Sequence, residues 1–283
     1  MKFGLIPVNI GMPSVEPMLE LAQNAEAAGF ESVWTFEHVI VPLDYRSKYP
    51  YNATGKMGAA PETPFIDPLI ALTAIAAATK KLRLGTGVNI LSQTNPLLMA
   101  KQAASLDVVS NGRFMLGVGI GWLQEEFDAM GVPFERRGAR FDDYLTAMKK
   151  VWSGAVVEHR SDFLDWHGFK SFPTPVQKPL PIVIGGIKGK ALARVARFGD
   201  GWFAPSASVE ELGPMLEQLR TLCREHGRDY SKIEITTMWT PQAGLDVAKK
   251  LRDIGVGRLV LLALGPSDLS QLKRIADDVF TKI

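Results

Sequence analysis

The sequence predicts a parallel α/β barrel, and three observations carry that expectation. Short apolar runs suited to buried strands alternate with longer stretches of helical period, the runs number eight, and two connections are long enough to roof one end of a barrel. Strand–helix alternation implies a parallel sheet, and eight strands close a TIM (β/α)8 barrel.

The strand candidates are, in order, Phe3–Val8, Ser32–Phe36, Leu82–Asn89, Phe114–Val118, Pro181–Ile184, Gly201–Ala204, Ile233–Trp239 and Arg258–Leu264. Between them, apolar residues recur at three- and four-residue spacing, as helices packed on a barrel require. One stripe, ahead of the fifth strand, is Phe141, Tyr144, Leu145, Met148, Val151 and Trp152. A second, after the sixth, is Leu212, Met215, Leu216, Leu219, Leu222 and Cys223, which makes Cys223 a small core hydrophobe. A third, Leu269, Leu272, Ile275, Ala276, Val279 and Phe280, completes the outer ring. The long connections are Glu37 to Phe65, after strand two, and Gly119 to Pro181, after strand four. Loops at that end of a barrel carry the active site, and the Tyr, Gly and Pro content of the first suits a substrate-covering loop. The 283 residues contain no linker between two self-sufficient halves, so a single domain over 1–283 is expected.

Composition excludes several classes. With 46% hydrophobic and 22% charged residues the chain is neither disordered nor fibrous. A formal charge of +2, without a long basic run, argues against nucleic acid as partner. One cysteine and four scattered histidines build neither an intrachain disulfide nor a thiolate-rich metal site, and no His-Glu-x-x-His occurs, so no metal is expected. The longest uncharged stretch, Leu84 to Ala100, is interrupted by Asn89, Gln93, Asn95 and Pro96, so no membrane span and no signal segment is expected, and the reading is a cytoplasmic protein.

Of the histidines, His159, His167 and His226 read as structural, whereas His38, in Glu37-His38 at the carboxyl end of strand two, occupies the rim where barrel side chains meet a ligand. Gly117-Val118-Gly119-Ile120-Gly121-Trp122 begins like a dinucleotide fingerprint but has Trp122 where the third glycine is needed. Gly189-Lys190-Ala191 lacks the rest of a P-loop, and no Gly-x-Ser-x-Gly elbow occurs. Ile182-Val183-Ile184-Gly185-Gly186, a strand running into glycines with a helix expected near Lys188, suits a phosphate, because the first amides of a helix lack internal partners. Arg136, Arg137 and Arg140 either clamp an anion or pair with Glu125, Glu126 and Asp128, pairing being the favoured reading. Gly199-Asp200-Gly201-Trp202 reads as a turn whose aspartate satisfies local amides.

Taken together, Gly29 through Trp34 to Glu37-His38, Leu84-Gly85-Thr86-Gly87-Val88, Asn95-Pro96 through Gly112-Arg113-Phe114, Gly117 through Trp122 to Glu125-Glu126-Phe127, Glu135 through Gly138, Gly185-Gly186 and Gly199 through Trp202 resemble, in order and spacing, the luciferase-like flavin and deazaflavin oxidoreductases. The resemblance implies a bacterial luciferase-like TIM barrel with insertions after strands 2 and 4. It also implies a non-prolyl cis peptide at Gly87-Val88 backing the cofactor ring, and a cofactor phosphate at Gly185, Gly186 and Ile187. By the same resemblance His38 matches an active-site histidine, Glu37 its acidic neighbour, and Glu125 falls near the cofactor. The dehydrogenases of the branch that uses coenzyme F420 carry a catalytic glutamate where this chain has Trp122, so a sugar-phosphate alcohol is not the expected substrate. The segment from Gly121 to Gly138 most resembles that branch, implying F420 rather than FMN and hydride transfer to or from a small-molecule substrate. The alternatives are an FMN-dependent monooxygenase and a non-catalytic flavin-binding barrel. Relatives of this kind commonly pair, so a homodimer is expected.

Overall fold

A computed structural model describes residues 1–205, 208–263 and 268–283. Eight staves form a closed parallel barrel: β1 (Lys2–Ile6), β2 (Ser32–Thr35), β3 (Arg83–Thr86) continued by β4 (Asn89–Ile90), β5 (Phe114–Gly119), β8 (Ile182–Gly185), β9 (Gly201–Ala204), β10 (Glu234–Trp239) and β11 (Arg258–Leu262). Closure is made by β11 against β1, with Lys2 opposite Arg258 and Ile6 opposite Leu262. Around them lie α1 (Val15–Ala27), α2 (Pro68–Ala78), α3 (Pro96–Val109), α6 (Ala191–Phe198), α7 (Val209–Glu225), α8 (Leu245–Asp253) and α9 (Leu269–Val279). The insertion after β5 holds α4 (Gln124–Ala129), α5 (Arg137–Trp152) and an antiparallel hairpin of β6 (Val157–Arg160) and β7 (Asp165–Phe169).

The helix signals are physical. Asp67 and Asn95 each accept two backbone N–H groups at the starts of α2 and α3, both with proline at the first turn, and Ser208 with Glu211 forms a capping box on α7. The expected stripes are inward: Phe141, Leu145, Met148 and Val151 of α5, and Leu212, Leu216, Leu219 and Cys223 of α7, are buried between helices and barrel. A separate cluster, Ile6, Trp34, Met115, Val183, Phe203 and Val260, fills the barrel itself. Gly85 belongs to this packing, because a Cβ there would lie 2.3 Å from the Trp34 ring. Below Trp34 the buried Arg258 guanidinium is held by both carboxylate oxygens of Glu31, at 2.9 and 3.0 Å.

Several boundaries differ from the sequence reading. The first strand stops at Ile6, not Val8, because Pro7 has no N–H to give the ladder, although Val8 N still donates to Trp34 O (3.0 Å). The expected continuous strand Leu82–Asn89 is broken at Gly87–Val88 into β3 and β4. The expected eighth strand ends at Leu262, and Leu264 lies outside the described residues. The helix expected near Lys188 begins at Ala191, after a loop in which Gly186 has φ +107° and Gly189 φ +61°. The predicted turn at Asp200 holds, its carboxylate accepting the Ile182 N–H at 3.1 Å. Among the described residues no helix is long and apolar enough to cross a membrane.

Candidate active site

At the carboxyl ends of the strands a cavity of about 710 Å³ opens under the connection from Glu37 to Phe65, a size within the range of small-molecule and cofactor sites. Its floor is the Gly87–Val88 peptide, which is cis, as the resemblance implies. The floor is assembled by side chains that replace lost ladder bonds. Thr86 Oγ1 donates to Gly117 O (2.7 Å) and accepts from Gly117 N (2.8 Å), stitching β3 to β5 where the chain leaves the sheet, and Gly87 N donates to Thr35 O (2.8 Å). Val88 then seats its methyl groups against two glycines: a Cβ on Gly119 would fall 2.7 Å from Val88 Cγ2, and one on Gly185 2.8 Å from Val88 Cγ1. These glycines therefore make room for Val88, a packing role. Gly186 differs, since its φ of +107° requires glycine and a Cβ there would face the Tyr51 hydroxyl at 3.7 Å.

Beside the floor stand Glu37 and His38, held at the end of β2 by the buried Asn9. The Asn9 amide donates to Phe36 O (2.9 Å) and Ile66 O (2.7 Å) and accepts from Phe36 N (3.0 Å), fixing the chain on both sides of the loop. Glu37 accepts a hydrogen bond from Asn89 Nδ2 (2.6 Å) and another from Ile90 N on the far side of the cis bond. Burial raises its carboxyl, those two donors oppose the rise, and the negative charges of Glu126 and Asp67 reinforce it; the result is pushed up to about 7. The His38 imidazole is edge-on to Phe65 (5.7 Å) and Trp122 (5.9 Å). Its Nδ1 lies 3.4 Å from Oε2 of Glu126, a residue only 2% exposed.

Sequence reasoning placed Glu125 at the cofactor. In the structure Glu125 does not line the cavity but lies against the loop, where one oxygen of its carboxylate accepts from Arg46 N (2.7 Å) and Ser47 N (3.3 Å). Burial works against ionisation there, but hydrogen bonds from the Ser47 side chain and from backbone amides outweigh it and draw the carboxyl down to about 2. Its neighbour Glu126 lines the cavity. The signal was present in the sequence, since Leu123, Glu126 and Phe127 share one helix face at i, i+3 and i+4, and all three are buried.

The arginine cluster divides as well. Arg136 pairs with Asp162 (2.6 Å) at the surface, and Arg140 is buried, donating to the carbonyls of Ser92 (2.9 Å), Glu135 (3.4 Å) and Pro133. Neither meets the expected partners Glu125, Glu126 or Asp128. Arg137, laid over the Phe134 ring at 3.7 Å, lines the cavity together with Lys188 and Arg194, next to Gly185, Gly186 and Ile187. Arg194 is tied to Asp142 (2.6 Å) and passes close over Gly138, where a Cβ would lie 2.6 Å from its Nη2. Among the described residues no hydrogen bond engages the amides of Ile187 or Lys188, both of which line the cavity, so unpartnered donors and cations share one end of it. His159 is structural, bonded to Asp143 (2.8 Å) where the hairpin meets α5. Among the described residues no group of three or more His, Cys, Asp or Glu is placed to hold a metal ion.

Residues 5–254 match the model of a protein family described as luciferase-like monooxygenase. The chain belongs to this family. An uncharacterised protein of Mycobacterium tuberculosis is 33% identical over 276 residues, covering 94% of this chain and 95% of its own. An FMNH2-dependent dimethylsulfone monooxygenase of Pseudomonas putida is 29% identical over 158 residues, 54% of this chain and 43% of that protein. Among solved structures, an F420-dependent secondary alcohol dehydrogenase in complex with an F420-acetone adduct superposes with a TM-score of 0.81 at 16% identity, covering 100% of this chain and 99% of that one, a likeness of fold. F420-dependent enzymes thus share its fold and FMNH2-dependent monooxygenases are among its sequence relatives, and the chain belongs to an oxidoreductase and monooxygenase family of enzymes.

Proposed function

We propose that this chain is an F420-dependent oxidoreductase that moves a hydride between C5 of the deazaflavin and a small organic substrate. The observation that carries the reading is the cavity-lining imidazole of His38 beside the Val88 floor, with a buried carboxylate behind it. Hydride transfer to a carbonyl needs a proton at the oxygen and hydride transfer from an alcohol releases one, and a positioned imidazole supplies or removes it. The residues present fit the cofactor: an apolar floor at Val88, and the amides of Ile187 and Lys188 with the side chains of Arg137, Arg194 and Lys188 for a phosphate. When bound, the deazaflavin supplies the hydride donor or acceptor.

The protein's share of the work follows from its own side chains. Val88 would back the cofactor ring, and Gly186 with the loop after it would hold the phosphate. Glu37 holds Asn89 and the Ile90 amide, and through them the shape of the floor. Tyr45, Tyr49 and Trp122, in edge contact at 5.2–5.8 Å, join Phe65 and Met57 in covering the opposite side and excluding water. His38 moves the proton at Nε2.

A second reading, an FMN-dependent monooxygenase, draws support from the sequence likeness to the P. putida enzyme. Titrating the cofactor-free protein with F420 and with FMN distinguishes the two. The proposal expects tight F420 binding and no oxygen consumption with reduced FMN; tight FMN binding without detectable F420 binding would overturn it.

A further inference from the structure

The short helix α4 sends one carboxylate to the back of His38, and its sequence neighbour goes elsewhere. We propose that Glu126 is a positioning residue that fixes the tautomer of His38, so that a proton-free Nε2 faces the cavity, while its other oxygen fastens the start of the substrate-covering loop. The inference rests on the reading of His38 as the proton-transfer group and deepens it.

Glu126 Oε1 accepts from Val39 N (2.6 Å) and Ile40 N (3.3 Å), the two residues that follow His38. Oε2 is thereby aimed at His38 Nδ1, 3.4 Å away. That Nδ1 is sealed from solvent and, 3.4 Å from Oε2 without hydrogen-bond geometry, makes no hydrogen bond as the ring stands; a turn of the ring toward Oε2 is required to make one. Phe65 and Trp122 bracket the ring and limit it to such a turn. A carboxylate only accepts hydrogen bonds, so the nitrogen facing it carries the proton in the neutral ring, and the lone pair falls to Nε2. The other charged side chains of the cavity wall are Glu37, which is occupied by Asn89 and Ile90, and Lys48, Arg137, Lys188 and Arg194.

In the oxidative direction a carbinol C–H leaves as hydride to the deazaflavin, its O–H bond breaks, and the proton passes to His38 Nε2. The imidazolium so formed sits against Glu126, which needs no rearrangement to balance it. In the reductive direction the same proton returns to the alkoxide oxygen.

Glu126→Gln separates the two duties. Its carboxamide oxygen can keep the Val39 and Ile40 amides, but its NH2 then faces Nδ1 and donates to it, forcing the proton onto Nε2. Long-range 1H–15N NMR of histidine-labelled, cofactor-free protein, at a pH where the ring is neutral, reads the tautomer directly. The expected result is Nδ1–H in the wild type and Nε2–H in E126Q, with turnover of E126Q down ~10²-fold or more and F420 affinity kept. His38→Ala and the double variant H38A/E126Q should then turn over equally slowly. An Nε2–H wild type, or an E126Q variant that keeps Nδ1–H, overturns the proposal; if E126Q does not fold, the wild-type tautomer alone decides. Unchanged turnover in His38→Ala overturns the functional reading of His38 instead, and leaves the tautomer assignment to stand or fall by NMR.

Discussion

Glu37 should make the barrel less stable as the solution turns alkaline, and Glu37→Gln should remove that dependence. In an unfolded chain the carboxyl titrates near 4.5, whereas in the folded protein it is pushed up to about 7. Between those values the folded state keeps a proton that the unfolded state has released. Its contribution is therefore fully present below the unfolded value and is lost as pH rises through the folded one. At ~1.4 kcal/mol for each pH unit, the displacement amounts to ~3 kcal/mol, of which ~2–3 kcal/mol falls between pH 5 and 8.5. Glutamine keeps one acceptor oxygen for the two donors, Asn89 Nδ2 and Ile90 N, at a pH-independent cost of ~1 kcal/mol. Urea unfolding of both proteins from pH 5 to 8.5 isolates the effect, because other titrating groups cancel in the difference. The stability of E37Q relative to wild type should climb by ~2–3 kcal/mol over that range. Parallel curves would refute the assignment of a buried, proton-retaining carboxyl at the cavity floor.

Other substitutions test other parts of the site. His38→Ala should lower turnover ~10²-fold or more while F420 affinity, measured by fluorescence titration, stays near wild type. Gly186→Val forces a β-branched residue to φ +107° beside Tyr51, and should weaken cofactor binding at least tenfold while far-UV circular dichroism stays that of the folded barrel. Gly185→Ala drives a methyl group to within 2.8 Å of Val88 and should cost ~1–3 kcal/mol in urea unfolding, most of it recovered by Val88→Ala in the same chain. Additive losses in that double variant would show that Val88 is not what Gly185 accommodates.

The barrel was legible because its code is local and repeated: apolar strands, and helices with inward stripes such as Phe141, Leu145, Met148 and Val151. The position of His38 and the glycine-rich junction were legible for the same reason, each being tied to the end of a strand. What escaped depended on contacts distant in sequence. Asn9 gives no local sign that it will bracket Phe36 and Ile66. The hairpin β6–β7 is short, and its alternating burial, Val157 and His159 inward with Glu158 and Arg160 outward, went unread inside a long insertion. Adjacent Glu125 and Glu126 differ only in which side of one helical turn they occupy, and choosing between them required weighing Leu123 and Phe127 as companions. Arg137, Arg136 and Arg140 posed the same problem, solved in space by three different neighbours.

The floor and the roof of the cavity have different origins in the chain. Val88, Gly119, Gly185 and Gly186 belong to strand ends that the whole barrel holds in place, whereas Tyr49, Pro50, Tyr51, Met57 and Phe65 come from one connection. That connection is fastened at its start by Glu126 and further along by Glu125 and the Ser47 hydroxyl. A contiguous cassette running from beyond Ile40 to before Phe65 is thus a natural unit for transplantation: exchanged between relatives, or diversified in a library, it would carry a new substrate preference while leaving the Val88 floor and the histidine untouched, provided Tyr51 beside Gly186 is kept.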